Sequence, residues 1–157
     1  MISQICASIF RIDTESDGTA PREHTGWIAD SGTREGYIVV DSRSALINPV
    51  VGPAGNELIE WIQQIIPLAA IRVIVLNHAH RFCENLEAVL LPHCSGALLV
   101  TARAAAEDPL VKNSGWRHRK TAKTGDKMLL GDYELTFVDD RMTYHSDELY
   151  TVLRKVA

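Results

Sequence analysis

Apolar residues in this chain fall into short runs and helical spacings that alternate from one end to the other. The sharpest run, Val73 to Leu76, is β-branched and aliphatic and breaks at Asn77-His78-Ala79-His80. It reads as a buried strand ending in a polar loop, followed by a helix from about Asn85, where Leu86, Val89, Leu90 and Leu91 recur and Pro92 closes the pattern. Upstream, Ile2 to Ile12 reads as one strand, Asp13 to His24 as a loop and Trp27 to Asp30 as a short strand. Gly36 to Val40 and Ser44 to Val50 read as two strands joined by a turn at Asp41-Ser42-Arg43. From Asn56, an N-cap by residue type, Leu58, Ile59, Ile62, Ile65 and Ile66 recur at helical spacing until Pro67.

Downstream, Ala97 to Thr101 reads as a buried strand and Ala102 to Asp108 as an alanine-rich helix ended by Pro109. Lys112 to Arg119 has few apolar residues and is expected at the surface. The last third turns to strands: Arg119 to Lys123, Lys127 to Leu130, Glu134 to Val138 and Leu149 to Val156, with turns at Thr124-Gly125-Asp126 and Gly131-Asp132. The order predicts a mixed α/β layer structure. With 157 residues and no linker or repeat, one domain over 1–157 is expected.

Composition narrows the function classes. A chain with 46% hydrophobic and 23% charged residues can bury a core, so it is not a disordered one. A formal net charge of -4 argues against a general nucleic-acid binder, whose affinity rests on clustered cations. The basic run Arg117-His118-Arg119-Lys120, with Lys123 and Lys127, reads as a solvated strand or loop edge. No apolar run approaches the roughly eighteen residues that span a bilayer, and the start lacks the basic region of a signal peptide, so no membrane partner and a cytoplasmic location are expected. Cys6, Cys83 and Cys94 form no CxxC pair; Cys6 and Cys94 are expected in the core, while Cys83 lies in the loop beside His78 and His80.

Chemistry concentrates at the strand end. His78 and His80, two apart in an extended segment, can point to one side and converge on one metal ion. Two histidines at a strand end also serve as a plain solvated loop, and spacing alone does not choose between the two. The chain carries no glycine-rich dinucleotide fingerprint and no phosphate-binding loop of the Walker type.

Blocks of residues, taken in order, carry a resemblance: Gly36-Tyr37-Ile38-Val39-Val40, Ala45-Leu46-Ile47-Asn48, Val75-Leu76-Asn77-His78-Ala79-His80, Lys123 to Gly131 and Asp147-Glu148-Leu149-Tyr150-Thr151. In sequence and spacing this resembles the metallo-β-lactamase-like domain of flavodiiron proteins, over nearly the whole chain. The resemblance implies an αββα sandwich of two face-to-face sheets under outer helices, present here as its first half or in shortened form. It also implies oxygen or nitric oxide reduction at a non-haem diiron centre, with electrons from a flavin on a separate domain. No flavin is expected in this chain.

Carried over residue by residue, the implied site departs from its pattern. The family motif His-x-Glu-x-Asp-His falls on His78, His80, Phe82 and Cys83, so the first histidine is kept, the glutamate is a histidine, the aspartate is a phenylalanine and the last histidine is a cysteine. The motif His-Trp-Pro-Asp-Ser-Met falls on Tyr144 to Leu149, with Tyr144 at the ligand histidine and His145 one place off. The family's remaining ligands, a bridging aspartate and a distant histidine, would fall beyond Ala157. The expectation is therefore a degenerate domain acting in binding, assembly or sensing. The alternative is an enzyme with one zinc or iron ion held by His78, His80 and either His145 or Cys83, with Glu84, Asp139 and Asp147 as further ligands or a base. A half sandwich would also leave Ile38, Val40, Leu46, Val73, Val75, Leu99, Leu135 and Phe137 partly on an open face. A homodimer, or a partner chain covering that face, is the expected remedy.

Overall fold

The computed structural model describes residues 1–13, 27–28, 35–49, 56–77, 83–139 and 149–157. In chain order the elements are β1 (Ile2–Cys6), β2 (Ile9–Asp13), β3 (Trp27–Ile28), β4 (Glu35–Val39), β5 (Ser44–Ile47), α1 (Asn56–Gln63), β6 (Ile71–Leu76), α2 (Cys83–Cys94), β7 (Leu98–Ala102), α3 (Arg103–Ala106), α4 (Pro109–Lys112), β8 (His118–Ala122), β9 (Lys127–Leu129), β10 (Tyr133–Asp139) and β11 (Leu149–Lys155). Seven strands form one sheet in the order β1-β2-β4-β5-β6-β7-β8, and four form a second in the order β3-β11-β10-β9. The larger sheet is antiparallel from β1 to β5 and parallel from β5 to β8. Parallel neighbours need a crossover, and α1, α2 and the α3–α4 pair occupy the three crossovers.

Strand β6 shows why two layers flank this sheet. Ile71, Val73, Ile74, Val75 and Leu76 are all buried, on both faces of the pleat, so beyond exposed Arg72 neither face meets water. On one side α1 buries Leu58 and Ile62 and α2 buries Leu86, Leu90 and Cys94, four residues apart along one helix stripe. On the other side the small sheet turns Tyr133, Leu135 and Phe137 of β10 and Leu149 and Thr151 of β11 into the same core. The open face expected from a half sandwich is therefore covered from within the chain: Ile38, Leu46, Val73, Val75, Leu135 and Phe137 are each 0% exposed. The apolar argument for a partner over that face falls with it.

The two sheets are clipped together at both ends. At one end the β4–β5 turn reaches the β9–β10 turn: the Asp41 carboxylate accepts the backbone N–H groups of Asp132 (3.2 Å) and Tyr133 (2.9 Å), and Arg43 N–H donates to Leu130 O at 2.9 Å. Gly131, at φ 152°, permits this approach, because a Cβ there would land on the Asp41 carboxylate. At the other end, Leu149 N–H donates to Asn77 O and the Thr151 hydroxyl donates to Asn77 Oδ1, both at 3.0 Å.

Several local expectations need correction. Ile2 to Ile12 is a hairpin of β1 and β2, with Ile2 opposite Ile12; the small residues Ala7 and Ser8 turn the chain, and Ser8 O accepts the Val40 N–H at 2.8 Å. The α2 helix runs through Pro92 to Cys94, since a proline in the last turn removes one hydrogen bond, to exposed Ala88, and no more. Trp116, in the segment expected at the surface, is buried; Gly115 N–H donates to Glu87 Oε1 at 2.7 Å and seats the segment on α2. Cys94 is buried as expected, but Cys6 is exposed on β1. Burial pushes the Cys94 thiol up to about 11, and it donates to Leu90 O at 3.1 Å.

Candidate functional site

Strands β5 and β6 run parallel and end side by side in asparagines, Asn48 and Asn77, both buried. Ligand-binding groups in open α/β sheets gather at such carboxyl ends. Asn48 takes φ 48°, a left-handed conformation that asparagine tolerates, and its N–H donates to Val75 O at 2.7 Å. Gly36 on β4 leaves room for it, since a Cβ there would lie 2.8 Å from Asn48 O. The end of β6 is therefore fixed laterally by β5.

Asn77 then ties β6 to the second sheet. Its carbonyl and its side-chain oxygen both accept from β11, while its amide nitrogen Nδ2 is buried with no partner among the described residues. Such a group in a native core is uncommon and marks a place where a polar neighbour is wanted. Leu149, bonded to Asn77, stands opposite Asp139 in the β10–β11 register. Asp139 N–H in turn donates to the Thr124 hydroxyl at 2.9 Å, and that hydroxyl donates to Asp139 O at 3.2 Å. The chain positions before His78 and on either side of segment 140–148 thus meet at one point of the sandwich.

His78, His80 and His145 lie outside the described residues, as do Phe82, Tyr144 and Asp147; Cys83 and Glu84 open α2, with their side chains outside them too. Among the described residues no group of three or more His, Cys, Asp or Glu side chains could hold a metal. The structure therefore brings together the anchors of the candidate segments. Sequence reasoning passed over the two asparagines as functional positions; the signal available was the same residue type directly after the apolar runs of β5 and β6.

The basic run does what an edge strand needs. β8 ends the larger sheet, and His118, Arg119, Lys120 and Thr121 are exposed, presenting cations along an otherwise unpaired edge. Across the small sheet, Glu134 on β10 takes an ion pair from Lys127 on β9 and another from Arg154 on β11, each at 3.1 Å. The Lys127 hydrogen bond, ahead of the other contributions, holds the Glu134 carboxyl below its ordinary range.

Comparison with known proteins places this geometry. No family model matches the chain. A nitric oxide reductase from Moorella thermoacetica is 26% identical over 126 residues, covering 80% of this chain and 32% of that protein. Rubredoxin oxygen:oxidoreductase from Desulfovibrio gigas superposes with a TM-score of 0.75 at 20% identity, over 96% of this chain and 38% of that one. A B3 metallo-β-lactamase superposes with a TM-score of 0.60 at 16% identity, over 78% of this chain and 52% of that one. The chain spans about a third of the length of the curated relative it matches. No described helix is long and apolar enough to cross a membrane.

Proposed function

We propose that this chain, whose fold is the metallo-β-lactamase-like sandwich of flavodiiron cores, is a degenerate version acting in binding, assembly or sensing, in place of turnover. The observation that carries this reading is the donor set. Phe82, at the position of the family's aspartate, has no lone pair to offer iron, and Tyr144 stands where the ligand histidine belongs. Cys83 would bind only as thiolate, a soft donor suited to zinc or iron–sulfur chemistry and out of place among the carboxylates and imidazoles of an oxygen-reducing diiron site. The residues present do not fit two irons.

A second reading is favoured by the Asn77 junction. Because Asn77 joins the base of the His78-Ala79-His80 segment to β11, and Asp139 and Leu149 bracket the segment holding His145, one zinc or iron ion could draw on His78, His80 and either His145 or Cys83. That site would serve reduction of oxygen or nitric oxide, with electrons from another protein, or metal-assisted hydrolysis.

Metal analysis of protein purified without added metal separates the readings. Under the first, iron stays far below two per chain and neither gas is reduced above background. Under the second, about one metal per chain is found, and it is lost in His78→Ala and His80→Ala together with part of the thermal stability. Two irons per chain with turnover would overturn the proposal. A cytoplasmic location and a homodimer remain part of the reading. Assembly would have to use a surface other than the face between the two sheets, because that face is filled, and light scattering at micromolar concentration measures it.

A further inference from the structure

A cavity of about 300 Å³ lies between strands β7 and β8 and the short helices α3 and α4. Its apolar part is Leu99, Ala106 and Val111, and its polar part is the hydroxyl residues Thr101 and Thr121. Leu99 stands opposite Arg119 and Thr101 opposite Thr121 in the parallel β7–β8 register, so these four share one face of the sheet. Thr101 and Thr121 each lie one residue from the carboxyl end of their strand. The remaining lining is Lys112, Arg119 and the β8 position between the two inward residues, Lys120, with no acidic residue among the described lining. In a chain of net charge -4 that is a local reversal of sign.

The arginine is held in place before any ligand arrives. Its Nη1 donates to Val111 O at 2.9 Å and to Lys112 O at 2.8 Å, the carbonyls at the end of α4. Both bonds leave from one nitrogen, so the N–H groups of Nη2 and Nε remain for a ligand or for water. Lys112 has a carboxylate at hand, Glu107 at 3.8 Å, but both side chains are strongly exposed, 67% and 79%, and such a pair is weak enough to be displaced. A fixed guanidinium beside a mobile ammonium, over an apolar floor with two hydroxyls, matches an acid head carried on a short hydrocarbon body.

We propose that this cavity is a binding site for a small amphipathic organic anion, with its acid group on Arg119 and Lys112 and its apolar body on Leu99, Ala106 and Val111. The site is separate from the Asn77 end of the sandwich and stands whether or not a metal binds there.

The test is an amide NMR titration of the full chain with octanoate, alongside acetate, inorganic phosphate and octylamine as probes. Octanoate is expected to saturate, shifting Thr101, Val111 and Thr121, and to bind at least roughly ten times more tightly than acetate, since each buried methylene adds a several-fold factor. Octylamine is expected not to bind. Lys112→Gln, at an exposed position that does not threaten the fold, should weaken octanoate roughly 3- to 10-fold, and raised salt should do the same. Ala106→Leu, checked for an unchanged circular dichroism spectrum, should abolish binding by filling the floor. No saturable shift in the millimolar range would overturn the proposal. So would equal binding of octylamine, phosphate as tight as octanoate, or wild-type affinity in both variants.

Discussion

The two ends of the sandwich are closed by different chemistry. At the Asp41 end a carboxylate at the solvent rim gathers backbone N–H groups from Ser42 (2.7 Å), Asp132 (3.2 Å) and Tyr133 (2.9 Å). At the Asn77 end a buried asparagine accepts from Leu149 at its backbone carbonyl and from Thr151 at Oδ1, and its Nδ2 has no partner among the described residues. The first closure is a complete set of charge-assisted hydrogen bonds, which water can reach and which serves position alone. The second is made of weaker neutral bonds in the core, and among the described residues it leaves one donor over, at the end where the histidine-bearing segments begin. A fold can hold its shape from one end and keep polar capacity at the other.

The comparison breaks most visibly at Gly131. Gly131→Ala forces a side chain onto the Asp41 carboxylate at φ 152°, and should destabilise by roughly 3–5 kcal/mol, from about 1–3 kcal/mol of backbone strain and roughly 2 kcal/mol from hydrogen bonds to a charged acceptor. Chemical denaturation measures it. In an Asp41→Ala background the same change should be smaller, because the carboxylate it collides with is gone; equal effects in both backgrounds would mean that the two residues are not coupled.

At the opposite end the expected effect is less. Thr151→Val keeps the shape and leaves Asn77 Oδ1 buried without its donor, which should destabilise by about 1–3 kcal/mol. Hydrogen exchange should show the loss at Leu149 and Asn77 first, and leave Tyr133 protected. An equal loss of protection at Tyr133 would show that the two clips open as one unit.

A third effect, confined to high pH, lies away from both clips and serves as their reference. The Cys94 thiol is raised by burial from 9.0 to about 11 in the folded chain. Its contribution to stability is fully present below the unfolded value of 9.0 and declines as pH rises toward about 11, because the unfolded chain loses its proton first. Urea midpoints should therefore fall between pH 9 and 11 in the wild type, and Cys94→Ala should flatten that slope without altering either clip.

Much of the architecture was legible because burial imposes periodicity. The continuous apolar run of β6 announced a strand buried on both faces, and the spacing of Leu58 and Ile62 announced α1. Ile2 to Ile12 was misread as one strand because a hairpin turn built from Ala7 and Ser8 carries neither glycine nor proline. Trp116 was misread as surface because a single aromatic in a polar stretch has no periodicity; Glu87, 28 residues earlier, seats it through Gly115 N–H. For the candidate site, the sequence showed the histidines, but not that Asn77 is the residue joining their segments to β11.

By itself, then, the sequence determined most of the strand and helix segments and which side chains are available as donors. Those properties are local, fixed by residue chemistry and by spacing along the chain. Tertiary structure alone decided that the small sheet covers the larger one, that Asp41 meets Gly131 and Asn77 meets Thr151, and that three cations line one cavity. These are meetings between residues far apart in sequence, 74 positions in the case of Asn77 and Thr151. No periodicity encodes them; they follow from how two curved sheets can stack so that every inward side chain is buried at once.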